Sequence, residues 1–284
     1  IGFQTSAEGL YAVALGSGAK ALGDRSYALG NNALARTGDV AVGAGALTDS
    51  TVSAAAKITG KFGETTAIGY NAGLGANDVY QSTFIGSAAG ARSEGKLNSF
   101  VGAHTGAGSD PATGGKLAKG DQNAFFGNGA GAGFQGDRNV YAGNNTGSGV
   151  TGNRNVASGN YALASAAGDN NVAQGSAAGA VVIGSNNVAI GNHAGTKSAL
   201  SSTGDVAGAV IDPAFFSDAV NIGSKTQAVA DGAIAIGANA NTSVAGAVAL
   251  GSGSVASTDA KVAGYNPLGA TTSTGATWTS TLAA

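Results

Sequence analysis

Few side chains in this sequence are equipped for chemistry, and their spacing limits what they can do. Histidine occurs twice, at His104 and His193, each two residues after a glycine that closes an apolar segment. A metal centre needs several His, Cys or carboxylate ligands gathered at one point. Neither histidine has such company in the sequence, so both are expected at solvent-facing corners, with no metal and no cofactor. Gly131-x-Gly133-x-x-Gly136 and Gly147-x-Gly149-x-x-Gly152 each fit a dinucleotide-binding fingerprint. That fingerprint works only between a strand and a helix, and no helical pattern follows either copy. Asp137, Asp169 and Asp231 fall in Gly/Asn-rich turns, where a short polar side chain serves the backbone. No Ser/His/Asp set and no carboxylate pair in a cleft stands out. The expectation is a protein that is not an enzyme.

The elements that carry these residues are repeats. Asn123-Ala-Phe-Phe-Gly127, Asn139-Val-Tyr-Ala-Gly143, Asn155-Val-Ala-Ser-Gly159, Asn171-Val-Ala-Gln-Gly175 and Asn187-Val-Ala-Ile-Gly191 follow one another at intervals of sixteen residues. Related segments close on Gly16, Gly30, Gly43, Gly69, Gly86 and Gly102 before this block, and on Gly223, Gly237 and Gly251 after it, making fourteen. Near both ends the interval shortens to about fourteen. A short fixed period of apolar segment and Gly/Asn/Asp corner is the signature of a solenoid with one coil per repeat. Period-two alternation predicts strands, two per coil, joined by corners where glycine adopts positive φ at least cost. At about 4.8 Å per rung the coils would stack to roughly 65–70 Å.

Composition agrees with a thin repetitive β structure. Fifty of the 284 residues are glycine, three are proline, and charged residues make up 11%. Collagen is excluded, because glycine shows no period of three. With 43% apolar residues and a net charge of −2, the chain is not of the disordered class and has no general attraction for nucleic acid. Cysteine is absent, which removes disulfide and thiol chemistry. No apolar run reaches the roughly 20 residues of a membrane-spanning helix. The opening Ile1-Gly-Phe-Gln lies in mid-pattern and reads as part of something longer.

Three columns follow from aligning the closing glycines. Positions one and three before the glycine are mostly branched, as in Val13/Leu15, Val188/Ile190, Ile234/Ile236 and Val248/Leu250. The position between them is usually Ala, and aromatic at Phe84, Phe100, Phe125 and Tyr141. Three residues after the glycine the side chain is small, from Ala19 to Ser254. The small columns are expected to fill a narrow interior, the aromatic column to stack within it, and Asn123, Asn139, Asn155, Asn171 and Asn187 to form a hydrogen-bonded ladder. The branched columns are left outside. A stripe of that length exceeds what a soluble monomer exposes, so these eight residues are expected to be buried by other copies of the chain packed cyclically about the long axis.

The repeat Asn-Val-Ala-Ile-Gly-x-x-Ala and its variants Ala-Val-Ala-Leu-Gly-Ser-Gly and Ala-Ile-Ala-Ile-Gly resemble the YadA-like head of trimeric autotransporter adhesins of Gram-negative bacteria. The resemblance covers residues 10 to 256 or so. It implies a left-handed parallel β-roll, three chains wound together or side by side as a homotrimer, displayed on the outer membrane at the end of a stalk. The copies that bury the eight branched residues are then those of a trimer interface. It also implies attachment to host extracellular matrix, host cells or other bacteria, with a C-terminal barrel as the anchor of the full-length protein. On this reading residues 1–256 are head repeats and 257–284, including Thr277-Trp-Thr-Ser-Thr-Leu-Ala-Ala284, lead toward a neck. Insertions are expected at about 47–64, 109–122 and 195–218. Within them Lys57, Lys61, Lys116, Phe215 and Phe216 are candidate binding residues, because long loops in a regular array are usually functional or disordered; for the two phenylalanines, packing between subunits is the reading preferred. A hexapeptide acyltransferase would show coils of eighteen, and an ice-binding or surface-layer solenoid a flat ladder of paired Thr. Neither pattern is present.

Overall fold

The computed structural model describes residues 1–50, 63–109, 117–196 and 214–258. Among these, every regular element is a strand of two or three residues and none is a helix. One parallel sheet of fourteen strands runs the length of the molecule, and its order along the sheet is the order along the chain. Its strands are the segments before each closing glycine, from Val13–Leu15 through Tyr141's strand Val140–Ala142 to Val248–Leu250. Middle residue meets middle residue at each step, as in Ala14↔Ala28, Phe100↔Phe125, Phe125↔Tyr141 and Asn221↔Ala235. Opposite lies a ladder of shorter strands such as Ser6–Ala7, Lys20–Ala21 and Leu34–Ala35. In the central coils that ladder thins to single bridges, Lys119↔Gln135↔Thr151↔Ala167↔Ile183. The chain is a β-solenoid of about 13 turns.

The columns sort as the alternation requires. The middle residue of each long-sheet strand is buried, and so is the small residue three after the glycine, through Thr226 and Ala240. Coil length decides what the interior holds. Fourteen-residue coils bring Ala against Ala, as with Ala28 and Ala35 or Ala235 and Ala228, all fully buried. Two further residues per coil widen the roll enough for aromatic rings. Phe84, Phe100, Phe125 and Tyr141 stack face to face at centroid distances of 5.5, 5.0 and 4.6 Å, and Phe134 closes edge-on against Phe125 at 4.8 Å. Both arrangements are favoured ring geometries.

Each ring has a glycine made for it. Four residues after the closing glycine stand Gly90, Gly106, Gly131 and Gly147, where an added Cβ would lie 2.5, 2.4, 2.3 and 2.3 Å from the rings of Phe84, Phe100, Phe125 and Tyr141. Beside interior Ala157 and Ala41 the same position carries Leu163 and Leu47, both buried, while beside Ala67, Ala173 and Ala189 it stays glycine. Gly131 and Gly147, the first glycines of the two matches to a nucleotide fingerprint, are therefore corners with positive φ that also make room for a ring.

Two side-chain ladders tie the coils along the axis. The amide oxygens of Asn98, Asn123, Asn139, Asn155, Asn171 and Asn187 each accept the backbone N–H of the next rung at 2.8–3.0 Å. Their amide nitrogens donate to a corner carbonyl of the next coil, from Gly120 to Phe216, at 2.8–3.0 Å. The expected ladder is present, running chiefly from amide to backbone rather than amide to amide. At the other corner the polarity reverses: Asp121, Asp137, Asn153 and Asp169 accept the N–H of the preceding coil at 2.7–2.8 Å. Where wide coils give way to narrow ones, Asn221 takes the place of an interior Ala. Its oxygen accepts the N–H of Ala228 at 2.6 Å and its nitrogen donates to the carbonyl of the same residue at 3.2 Å. Both polar groups are thereby satisfied at the step in width.

Two substitutions test this account. Gly131 and Gly133 share positive φ, 64° and 67°, but a Cβ at Gly133 meets nothing within 4 Å. Gly133→Ala is expected to cost about 1 kcal/mol of conformational strain, and Gly131→Ala about 1–3 kcal/mol more through collision with Phe125, measured by denaturant midpoint. Asn155→Ala strands the N–H of Asn171 and the carbonyl of Gly168 and should cost about 2–4 kcal/mol, whereas exposed Asn160→Ala should shift the midpoint by less than about 0.5 kcal/mol.

Candidate functional site

Since the middle residue of each rung points inward, its two neighbours must point out. The outer face of the long sheet is accordingly paved by the branched columns. Val13, Leu15, Val248 and Leu250 are exposed, Leu250 at 71%, while Val188, Ile190, Ile234 and Ile236 are half-buried by their neighbours along the stripe. All eight residues expected at an interface lie on this one face. The stripe is not uniform. At its two ends both columns are apolar. In the central rungs one column turns polar, first Thr66, Thr83 and Ser99 beside Ile68, Ile85 and Val101, then Ser158 and Gln174 beside Val156 and Val172. The apolar side changes column around Phe126 and Val140, so the stripe is narrowest at mid-length.

Polar columns border the stripe. On one edge, Arg138, Arg154, Asn170 and Asn186 occupy left-handed corner positions and pair along the axis, Arg138 with Gln122 and Asn186 with Asp218. On the other edge Asn128, Asn144, Asn160 and Asn192 are exposed. The histidines belong to this second edge. His104 (φ 55°) is exposed and His193 (φ 54°) is half-buried beside Asn192. Burial, and then the charge of Lys225, lowers the pKa of His193. The two imidazoles stand several rungs apart, and among the described residues no three His, Cys, Asp or Glu side chains come together as a metal site.

The opposite face carries a shallow polar groove of about 490 Å³, floored by Gly95, Gly120 and Gly136 and walled by Glu94, Lys119, Asp121 and Asp137. Lys119 is paired with Glu94 at 2.7 Å and Lys96 with Asp78 at 3.5 Å.

The loop candidates fare differently. Lys57, Lys61 and Lys116 lie outside the described residues. Phe215 is 68% exposed, but Phe216 is buried among Val182, Ala219 and Ala228 of its own chain. Neither is in a loop, because Ala214–Phe215 pairs with Val182–Ile183 as the next rung of the short ladder. Residues at the expected edges of the other insertions are likewise part of the roll. Leu47 and Ser50 are buried, and Ala118–Lys119 pairs with Ser93–Glu94. Alternation in the short ladder spans only two residues, too few to read from sequence. Asn221, buried Asp39 and half-buried Arg36 also escaped the sequence reading. The only signal for Asn221 is an amide in an Ala column.

No helix among the described residues is long and apolar enough to cross a membrane. A family model of the YadA head domain repeat matches residues 7–33, 218–240 and 228–254. These are the fourteen-residue coils toward the two ends, and the wider central coils continue the same rung, register and glycine column between them. No curated protein matches the chain. Family repeats toward both ends of one parallel sheet support a YadA-like head domain.

Proposed function

We propose that this roll is the adhesive head of a trimeric autotransporter, three copies burying their apolar stripes against one another and presenting the remaining faces to a bacterium's surroundings. An adhesin-type function goes with the YadA head family, whose adhesins generally form trimers and bind host matrix and are in general not enzymes. The observation that carries the reading for this chain is the stripe. Side chains such as Leu15, Phe126 and Leu250 are 48, 47 and 71% exposed on one face, and a continuous apolar strip of that length calls for a partner surface. A closed ring of identical stripes covers all of them at once.

Assembly also serves attachment. Each copy repeats its outer columns at rung spacing, so a ligand with several equivalent groups meets many weak contacts on a rigid support. Tripling the chains multiplies avidity without new chemistry. The targets in this reading are host extracellular-matrix proteins, host-cell surfaces or other bacteria, and the location is the bacterial cell surface.

Light scattering after size exclusion should return three times the chain mass of 26.8 kDa. Ile236→Asp should reduce the assembled fraction by tenfold or more, because a carboxylate buried in an apolar interface costs about 3 kcal/mol or more. Asn239→Asp, at a corner, should leave the mass unchanged. Binding of the trimer to a matrix-coated surface should fall by about 10²-fold in the unassembled variant. A well-folded parent monomer would overturn the reading.

A further inference from the structure

Ser50 and Gly63 are the described residues on either side of the first expected insertion, and the residues that hold these two stems form a partly buried cluster around Arg36 and Asp39. Arg36 donates from Nη1 to the Ser50 hydroxyl at 2.8 Å and from Nη2 to the Ser50 carbonyl. The Asp39 carboxylate, 1% exposed, accepts the N–H of Thr65 at 2.9 Å through Oδ1 and the N–H of Arg36 at 3.0 Å through Oδ2. Gly63 packs against that carboxylate so closely that a Cβ there would sit 1.9 Å from Oδ1. One side chain thus grips the outgoing stem and the other the returning stem, and the two are neighbours in one corner.

Asp39 is also the one carboxylate in its column. The corresponding position is Ser26 and Thr65 in the adjoining rungs and Asn in six others, from Asn98 to Asn187. Asn supplies the same acceptor oxygen without a charge, so the hydrogen bond to the next rung does not require an acid. We propose that Arg36 and Asp39 form a charge-dependent clamp on the stems of the first insertion, so that the ionisation of Asp39 sets how firmly residues 50 and 63–65 are held to the roll. The proposal goes beyond adhesion itself.

The physical sense of the control follows from burial. Loss of solvation pushes the Asp39 carboxyl up to about 6 from 3.8, against the opposing influence of the Thr65 and Arg36 N–H groups and the Arg36 charge. Other charges near this corner are engaged elsewhere: Asp24 accepts the N–H of Leu10, Glu64 accepts from Gln81, and Arg25 is exposed. A carboxyl with a raised native pKa contributes most when protonated, and that contribution is lost as pH rises through the native value. The stems are therefore held more tightly at mildly acidic pH and loosen toward neutrality.

The test is amide hydrogen exchange of residues 63–65 in the assembled head, comparing the parent with Asp39→Asn at each pH so that intrinsic exchange rates cancel. The parent's opening equilibrium relative to the variant should rise by about tenfold between pH 5 and pH 7. Parallel profiles in the two proteins would overturn the proposal. Asp39→Asn keeps the acceptor that other rungs use, so loss of fold is not the expected outcome. Arg36→Gln supplies a second reading: it should speed exchange at both stems, and an effect confined to residue 50 would mean that the stems are held independently and the clamp does not exist.

Discussion

Everything in this molecule depends on how closely one coil's backbone lies on the next. At the glycine that closes each rung, φ lies between +113° and +142°, and a Cβ on most of them would come within 2.3–2.6 Å of the carbonyl oxygen of the equivalent glycine one coil on. A second glycine column, Gly120, Gly136, Gly152 and Gly168, is tighter still, with a Cβ only 2.0 Å from the next carbonyl. Neither the dihedral nor the space admits another residue. The glycine content of the chain is the consequence of stacking, and stacking at strand spacing is what allows every rung to hydrogen-bond to both neighbours.

Close stacking makes polar corners expensive, because N–H groups turned along the axis lose water and need partners. The chain meets this with two ladders of opposite direction, Asn donating and accepting toward the following coil and Asp, Asn or Ser accepting from the preceding one. Six buried Asn side chains are each held at two points, so they act as struts. The same need explains Asn221, whose amide satisfies Ala228 where the coil changes width. It also explains why a charge at Asp39 is anomalous in an interior otherwise served by hydroxyls and amides.

A roll this thin cannot bury its apolar side chains on both faces. The interior accepts chiefly Ala, a ring facing a glycine, or a few aliphatic side chains such as Leu47 and Leu163, and most larger aliphatic residues of the long sheet lie outside as an apolar stripe. A repeating rung multiplies like groups in columns along the axis.

Local pattern decided much of this. Alternation over three residues and the spacing of glycines told which column faces in and which faces out, from Val13/Ala14/Leu15 onward, because a strand's side-chain directions depend on its own pleat. The corner roles of Asp137 and of the repeated glycine fingerprints were legible for the same reason. Residues whose role depends on another part of the roll were not legible. That Gly131 yields space to Phe125, that Phe216 returns to its own core, that Asn221 satisfies Ala228 across the roll, and that Arg36 reaches Ser50 while Asp39 reaches Thr65 all depend on how different strands are brought together. Only the folded roll brings those strands within reach, because the path of the chain around each coil and the register between coils, rather than local alternation, determine which side chains meet.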